Sequence, residues 1–293
     1  MNFSGQTLRL LRLCLRMESG MGRRGFIAEG ENNMMAEQGT LRESERSGGG
    51  STEGPKKMNR AYHEWQSSRL GRSMELLVFG HAGLPVLAFP TSGGRFFDLE
   101  DRGLIAALAG RIDAGQLHLF CVDSVDRESW YNFRIAPSRR LARHIQYEAY
   151  LLDEVLPLVR RQNPDPQLVA LGCSFGGYHA ANIALRHPEL FSGFLSISGV
   201  FDLTGFLQGY YDDNCYFHLP THFLPRLEDP EILGRMRAGH YTLACGWDDP
   251  CLVPNQQLDH ILNEKEIPHR LYVWDEPNSH DWPTWQRMVQ QYL

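Results

Sequence analysis

Residues Gly172-Cys173-Ser174-Phe175-Gly176 place a serine midway between two glycines. An apolar run (QLVALG) precedes Ser174, and a stretch rich in small residues (GGYHAANIAL) follows it. That is the strand–turn–helix setting in which a serine is perched on a sharp bend, with glycines on either side leaving room for the turn. A serine hydroxyl is a weak nucleophile until a base removes its proton. Of the twelve histidines, only His280 lies in a turn (EPNSHDW) between the last apolar run and the last helical stretch. That turn is where a base serving a distant serine belongs. A carboxylate must then orient the imidazole and stabilise its protonated form. Two adjacent aspartates, Asp248 and Asp249, follow the preceding apolar run, and the Gly246-x-x-Asp249 spacing favours Asp249. Asp275 and Asp281 are nearer in sequence but worse placed. Asp275 would end the histidine's own strand, and Asp281 is its immediate neighbour.

Acyl transfer also needs two donors for a developing oxyanion. The N–H of Phe175 is one, and the loop Pro90-Thr91-Ser92-Gly93-Gly94 supplies the other, with Ser92 preferred and Gly93 second. Trp130 and Tyr131 follow a third apolar run, where they are expected to line a substrate pocket. His218 reads as a surface or packing residue and not as a ligand.

These residues require a scaffold. Short apolar runs at 74–79, 84–89, 117–122, 167–172, 191–198, 240–246 and 269–274 read as strands. Helical spacing predicts helices at 99–114, 142–161, 180–186, 255–264 and 282–293. Alternation of this kind over some 220 residues predicts an α/β fold, with a mainly parallel central sheet and helices on both faces. Residues 203–239, rich in Tyr, Phe, Pro and Asp, break the rhythm and are expected to form a small cap insertion.

Residues 1–57 differ in kind. They contain the tract SGGGSTEG, nine basic and seven acidic residues, and no apolar periodicity beyond about Met17. Such a segment is expected to lack stable structure, leaving 58–293 as the folded domain. Met58 is then a candidate start of translation. The run Leu8–Met17 is interrupted by Arg9, Arg12 and Arg16, which argues against a secretory signal. The formal net charge of −6 disfavours nucleic acid as a partner. No apolar stretch is long enough for a membrane span. The spacing of the six cysteines is not that of a disulfide scaffold, so a reduced, cytoplasmic protein is expected. Cys245 and Cys251 do not complete a metal site.

GCSFGGYHA together with SHDWPTWQRMV resembles the putative esterase family of α/β-hydrolases, which includes esterase D, feruloyl and acetyl esterases, enterochelin esterases and mycolyltransferases. The resemblance spans roughly 74–293. Its most specific piece is His280-Asp281-Trp282 followed by Trp285. It implies an α/β-hydrolase fold, with Ser174 as nucleophile, His280 as base and Asp248 or Asp249 as acid. The activity implied is hydrolysis of a small-molecule carboxylic ester through an acyl-enzyme, without metal or organic cofactor. The loop at 90–94 departs from the family in lacking a His-Gly or Asp-Gly pair. Acyl transfer to a sugar or lipid, and a catalytically silent binding module on the same fold, are the alternatives.

Overall fold

The computed structural model describes residues 58–277 and 279–293. The expectations for residues 1–57 lie outside the described residues. Eight strands form one sheet in the order β1-β2-β4-β3-β5-β6-β7-β8. They are β1 (Arg60–Ser67), β2 (Arg72–Phe79), β3 (Leu84–Phe89), β4 (Leu117–Val122), β5 (Val169–Cys173), β6 (Gly193–Ile197), β7 (His240–Gly246) and β8 (His269–Trp274). β2 runs antiparallel to both β1 and β4, and the remaining pairs are parallel.

The central strands are apolar on both faces because both faces are covered. In β3, Leu87 and Phe89 enter one core while Val86 and Ala88 enter the other. In β4, Phe120 and Val122 oppose Leu119 and Cys121 in the same way. The first core is capped by α1 (Pro137–Tyr150), α2 (Leu156–Gln162), α3 (Phe175–Arg186), α4 (Pro230–Arg237) and α5 (Leu252–Glu264). The second is closed by α6 (Trp282–Tyr292) and three helical turns between Asp98 and Asp113. α1 and α2 are joined by a π-turn, Leu151–Val155, just before Pro157. Pro157 lacks the N–H that would continue the α ladder.

Two expectations change. The strand β1 was not anticipated, because its alternating residues RAYHEWQS remain partly or wholly exposed until Ser67. The helix expected over 99–114 is three short pieces, broken at Gly103, which adopts φ 76, and at Leu108, with φ −98 and ψ 0.

Order along the sheet reverses at β3. β4 lies on one side of it and β5 on the other. The crevice at such a switch point, beyond the carboxyl ends of the strands, is where open α/β sheets bind ligands. The loop 90–94 follows β3 and Ser174 follows β5, so both lie at those ends.

Candidate active site

Ser174 lies between β5 and α3 with φ 55 and ψ −120, a conformation L-residues rarely adopt. The turn is kept by close packing of backbone. A Cβ on Gly172 would come 2.1 Å from Gly176 C, and one on Gly176 would come 2.5 Å from Pro90 O. Any side chain at either position would therefore open the bend. The Ser174 N–H donates to Ile197 O (2.8 Å), tying the bend to the end of β6.

Four neighbouring strands deliver the polar groups. Ser174 follows β5, Ser198 follows β6, Asp249 follows β7 and His280 follows β8. Adjacent strands are about 4.8 Å apart, so residues just past their carboxyl ends converge on one another. Ser174 Oγ is 3.1 Å from His280 Nε2, and His280 Nδ1 is 3.0 Å from Asp249 Oδ1. Asp249 Oδ1 also accepts from the Cys251 N–H (2.7 Å), and Asp249 Oδ2 from Ser198 Oγ (2.5 Å). Burial alone would raise the Asp249 carboxyl pKa. The charge and hydrogen bond of His280, with those of Ser198 and Cys251, outweigh burial and hold it below the usual carboxylate value.

The neighbouring Asp248 points elsewhere. Its Oδ1 accepts from Ser279 Oγ (2.6 Å) and Ser279 N (3.3 Å). Gly246 permits that approach, because a Cβ there would lie 1.8 Å from Ser279 Oγ. Asp248 therefore pins the turn that carries His280, while Asp249 touches the imidazole. Asp281 caps α6 through the Trp282 N–H (2.7 Å).

The loop 90–94 is fixed from outside. Asp98 accepts from Thr91 N (3.0 Å) and Thr91 Oγ1 (2.8 Å). Arg127 Nε donates to Gly93 O (3.1 Å) and Ser124 Oγ to Gly94 O (2.8 Å). The N–H groups of Ser92 and Gly93 donate to no group among the described residues. The Phe175 N–H, at the first position of α3, has no intrahelical acceptor.

Tyr131 Oη donates to Ser92 Oγ (2.8 Å), and its ring meets Phe175 edge-on. Trp130 departs from expectation. It is 1% exposed and packs among Tyr178, Phe206 and His144. An indole so enclosed supports the wall of the crevice and does not form its surface. His218 is likewise buried, with Nδ1 2.8 Å from Asn214 O.

Ser198 and Trp285 were not singled out for this role. Trp285 Nε1 donates to Ser198 Oγ (3.0 Å), and its ring stands edge-on to His280 with centroids 5.0 Å apart. A serine ending an apolar strand gives no signal of this in sequence. The tryptophan stands out only by its spacing from His280.

Among the described residues, two groups of side chains bring three ligand atoms within 4.8 Å of one another, His144–Glu148–His218 and Asp249–Cys251–His280. In the first, Glu148 already accepts from Arg186 (2.8 and 3.0 Å) and His187 (3.0 Å), and that guanidinium repels a metal cation. The second uses the atoms of the hydrogen-bonded line just described. Burial pushes the thiols of Cys121 and Cys173 up and that of Cys245 to about 12, which leaves them as packing groups.

Comparison with known proteins gives the family and the fold. The putative esterase family matches residues 67–293. A ferulic acid esterase superposes with a TM-score of 0.64 at 15% identity, covering 80% of this chain and 96% of that one. An S-formylglutathione hydrolase from Staphylococcus aureus gives 0.60 at 17% identity, covering 81% and 96%. The enterobactin esterase of Shigella flexneri gives 0.53 at 21% identity, covering 80% and 58%. A search of curated proteins found no match. The sheet order is that of an α/β-hydrolase, and, matched over residues 67–293, the chain belongs to the putative esterase family and is an esterase.

Proposed function

We propose that the chain hydrolyses a carboxylic ester through an acyl-enzyme on Ser174. The observation that carries this reading is the unbroken line Ser174 Oγ–His280 Nε2 (3.1 Å) and His280 Nδ1–Asp249 Oδ1 (3.0 Å), ending on a serine held at φ 55. In this reading Asp249 accepts a hydrogen bond from His280 Nδ1–H and so leaves the Nε2 lone pair facing the hydroxyl. His280 takes the Ser174 proton as Oγ attacks the ester carbonyl carbon. The tetrahedral oxyanion is stabilised by the uncommitted N–H groups of Phe175 and Ser92, with Gly93 as the neighbouring donor. Protonated His280 then gives its proton to the leaving alkoxide. A water, deprotonated by His280, attacks the acyl group in the second half and releases the acid.

Tyr131 forms part of the crevice wall and orients Ser92 through its hydroxyl. Segment 203–239 serves as a cap. Leu203, Phe206, Leu207, Cys215 and Leu219 pack in one cluster with Phe175 and Tyr178 of α3, so the segment's position limits the size of the acyl or alcohol group. The substrate is a small-molecule ester. No helix among the described residues is long and apolar enough to cross a membrane.

Turnover of p-nitrophenyl acetate tests the assignment. Ser174→Ala is expected to reduce kcat at least roughly 10⁴-fold with an unchanged far-UV circular dichroism spectrum. Wild-type turnover in that variant would remove Ser174 from the reaction.

A further inference from the structure

Asp249 is gripped on the oxygen that does not face His280. Ser198, fully buried at φ 54, donates its hydroxyl to Asp249 Oδ2 (2.5 Å) and receives the Trp285 indole N–H (3.0 Å). An indole nitrogen can only donate. Its proton therefore occupies a lone pair of Ser198 Oγ and commits the single hydroxyl proton to Asp249. The series runs one way, from Trp285 to Ser198 to Asp249. His280 Nδ1–H and the Cys251 N–H meet the other carboxylate oxygen. Rotation of the carboxylate about Cβ–Cγ would break donors on both sides. Trp285 also stands against the His280 ring, so one side chain braces both members of the His–Asp pair.

We infer that Ser198 and Trp285 are positioning residues of the esterase reaction, holding the Asp249 carboxylate in the plane that receives His280 Nδ1–H. This rests on the assignment of Ser174, His280 and Asp249 above. It has a consequence for pH. A hydrogen bond from Ser198 spreads the carboxylate charge and weakens its hold on the imidazolium. Without that bond the carboxylate holds the imidazolium more tightly, and a higher pH is needed to free the base.

Few other titratable groups bear on this pair. The β7 loop brings Cys251 and also Asp248, which is turned to Ser279. β7 brings the buried Cys245. Asp281 is bound to the Trp282 N–H, and Arg287 of α6 is paired with Glu276. The turn at Ser174 brings no second charge.

The experiment is a kcat/KM–pH profile for p-nitrophenyl acetate with the full chain and with Ser198→Ala, Trp285→Phe and the double variant, alongside Ser174→Ala. Ser198→Ala is expected to lower kcat about tenfold with KM little changed, and to move the acid limb to higher pH by about half a unit or more. Trp285→Phe keeps an aromatic ring and removes the N–H, so it shifts the limb the same way by less. The double variant should match Ser198→Ala alone, because Trp285 acts on Asp249 through Ser198. Lower melting temperatures with an unmoved acid limb in both single variants would overturn the inference, as would additive shifts in the double variant. If Ser198→Ala does not fold, Trp285→Phe decides by the same limb. An inactive Ser174→Ala beside an unmoved limb ends only the positioning role, whereas an active Ser174→Ala ends the parent assignment.

Discussion

Among the described residues, two buried His–Asp contacts share a similar geometry and differ in their surroundings. His280 Nδ1 lies 3.0 Å from Asp249, and His179 Nε2 lies 2.9 Å from Asp126. Both aspartates have fully buried side chains. The difference is in what meets the rest of each pair. The second nitrogen of His280 faces the hydroxyl of Ser174 on a strained turn. The ring of His179, five residues further along α3, is enclosed by Phe89, Tyr147, Phe175 and Tyr178. The free oxygen of Asp249 is occupied by Ser198, while that of Asp126 has no hydrogen-bond partner among the described residues. A His–Asp contact is therefore not by itself a site. One pair ends on the Ser174 hydroxyl, and the other is sealed into the packing behind it.

Substitutions on each side should separate the two roles. The largest contrast is in the histidines. His280→Ala is expected to reduce kcat by roughly 10⁴- to 10⁶-fold at nearly constant melting temperature. His179→Gln should lower the melting temperature while the surviving folded protein keeps kcat within about tenfold of wild type. Equal kcat losses in the two variants would erase the distinction. The aspartates should show a smaller contrast. Asp249→Asn is expected to cost about 10³- to 10⁴-fold in kcat, since an amide favours the wrong imidazole tautomer. Asp126→Asn should act on stability, and Asp248→Asn, which loosens the Ser279 turn, should cost about tenfold or less in kcat. A loss in Asp248→Asn as deep as that in Asp249→Asn would reassign the acid.

A further contrast concerns stability alone. Behind His179 lies a second polar cluster, in which Glu148 meets Arg186, His187 and His218. Burial acts to raise the Glu148 carboxyl pKa, but His187, His218 and Arg186 overcome it and hold the pKa well below the usual value. A carboxylate depressed in this way stabilises the fold fully above its unfolded pKa near ~4.3, and loses that contribution as pH falls towards the folded value. Glu148→Gln should therefore destabilise by about 3 kcal/mol at neutral pH. Its melting temperature should also fall less steeply than wild type below about pH 4. Parallel melting curves for the two proteins across that range would contradict the sign argued here.

The residues that the chain itself announced were those tied to backbone sterics or to element order. Gly172 and Gly176 mark the bend because nothing larger fits, and His280 stands out because it separates the last strand from the last helix. Spacing from Gly246 favours Asp249 over Asp248, but it does not say where either side chain points. Adjacent residues in a turn point in different directions, and only the Ser279 contact shows which is engaged elsewhere. Trp130 and Tyr131 are neighbours in sequence with opposite fates, one enclosed and one at the crevice, because that loop has no period to read. β1 escaped notice because an edge strand need bury little apolar surface. Its anchoring is polar, through Glu154 accepting from Trp65 Nε1 (2.8 Å) and Ser67 Oγ (3.1 Å) across 89 and 87 residues of sequence. Contacts over such separations leave no local pattern. The same holds for Ser198 and Trp285, which are 87 residues apart.

If the proposed function holds, Ser174 is the hydroxyl that its surroundings activate. Reaction of the full chain with a fluorophosphonate, followed by peptide mass spectrometry, tests it most directly. A single stoichiometric adduct is expected on the peptide containing Ser174, absent in His280→Ala on the same timescale. An adduct on another residue, or undiminished labelling in Ser174→Ala, would contradict it.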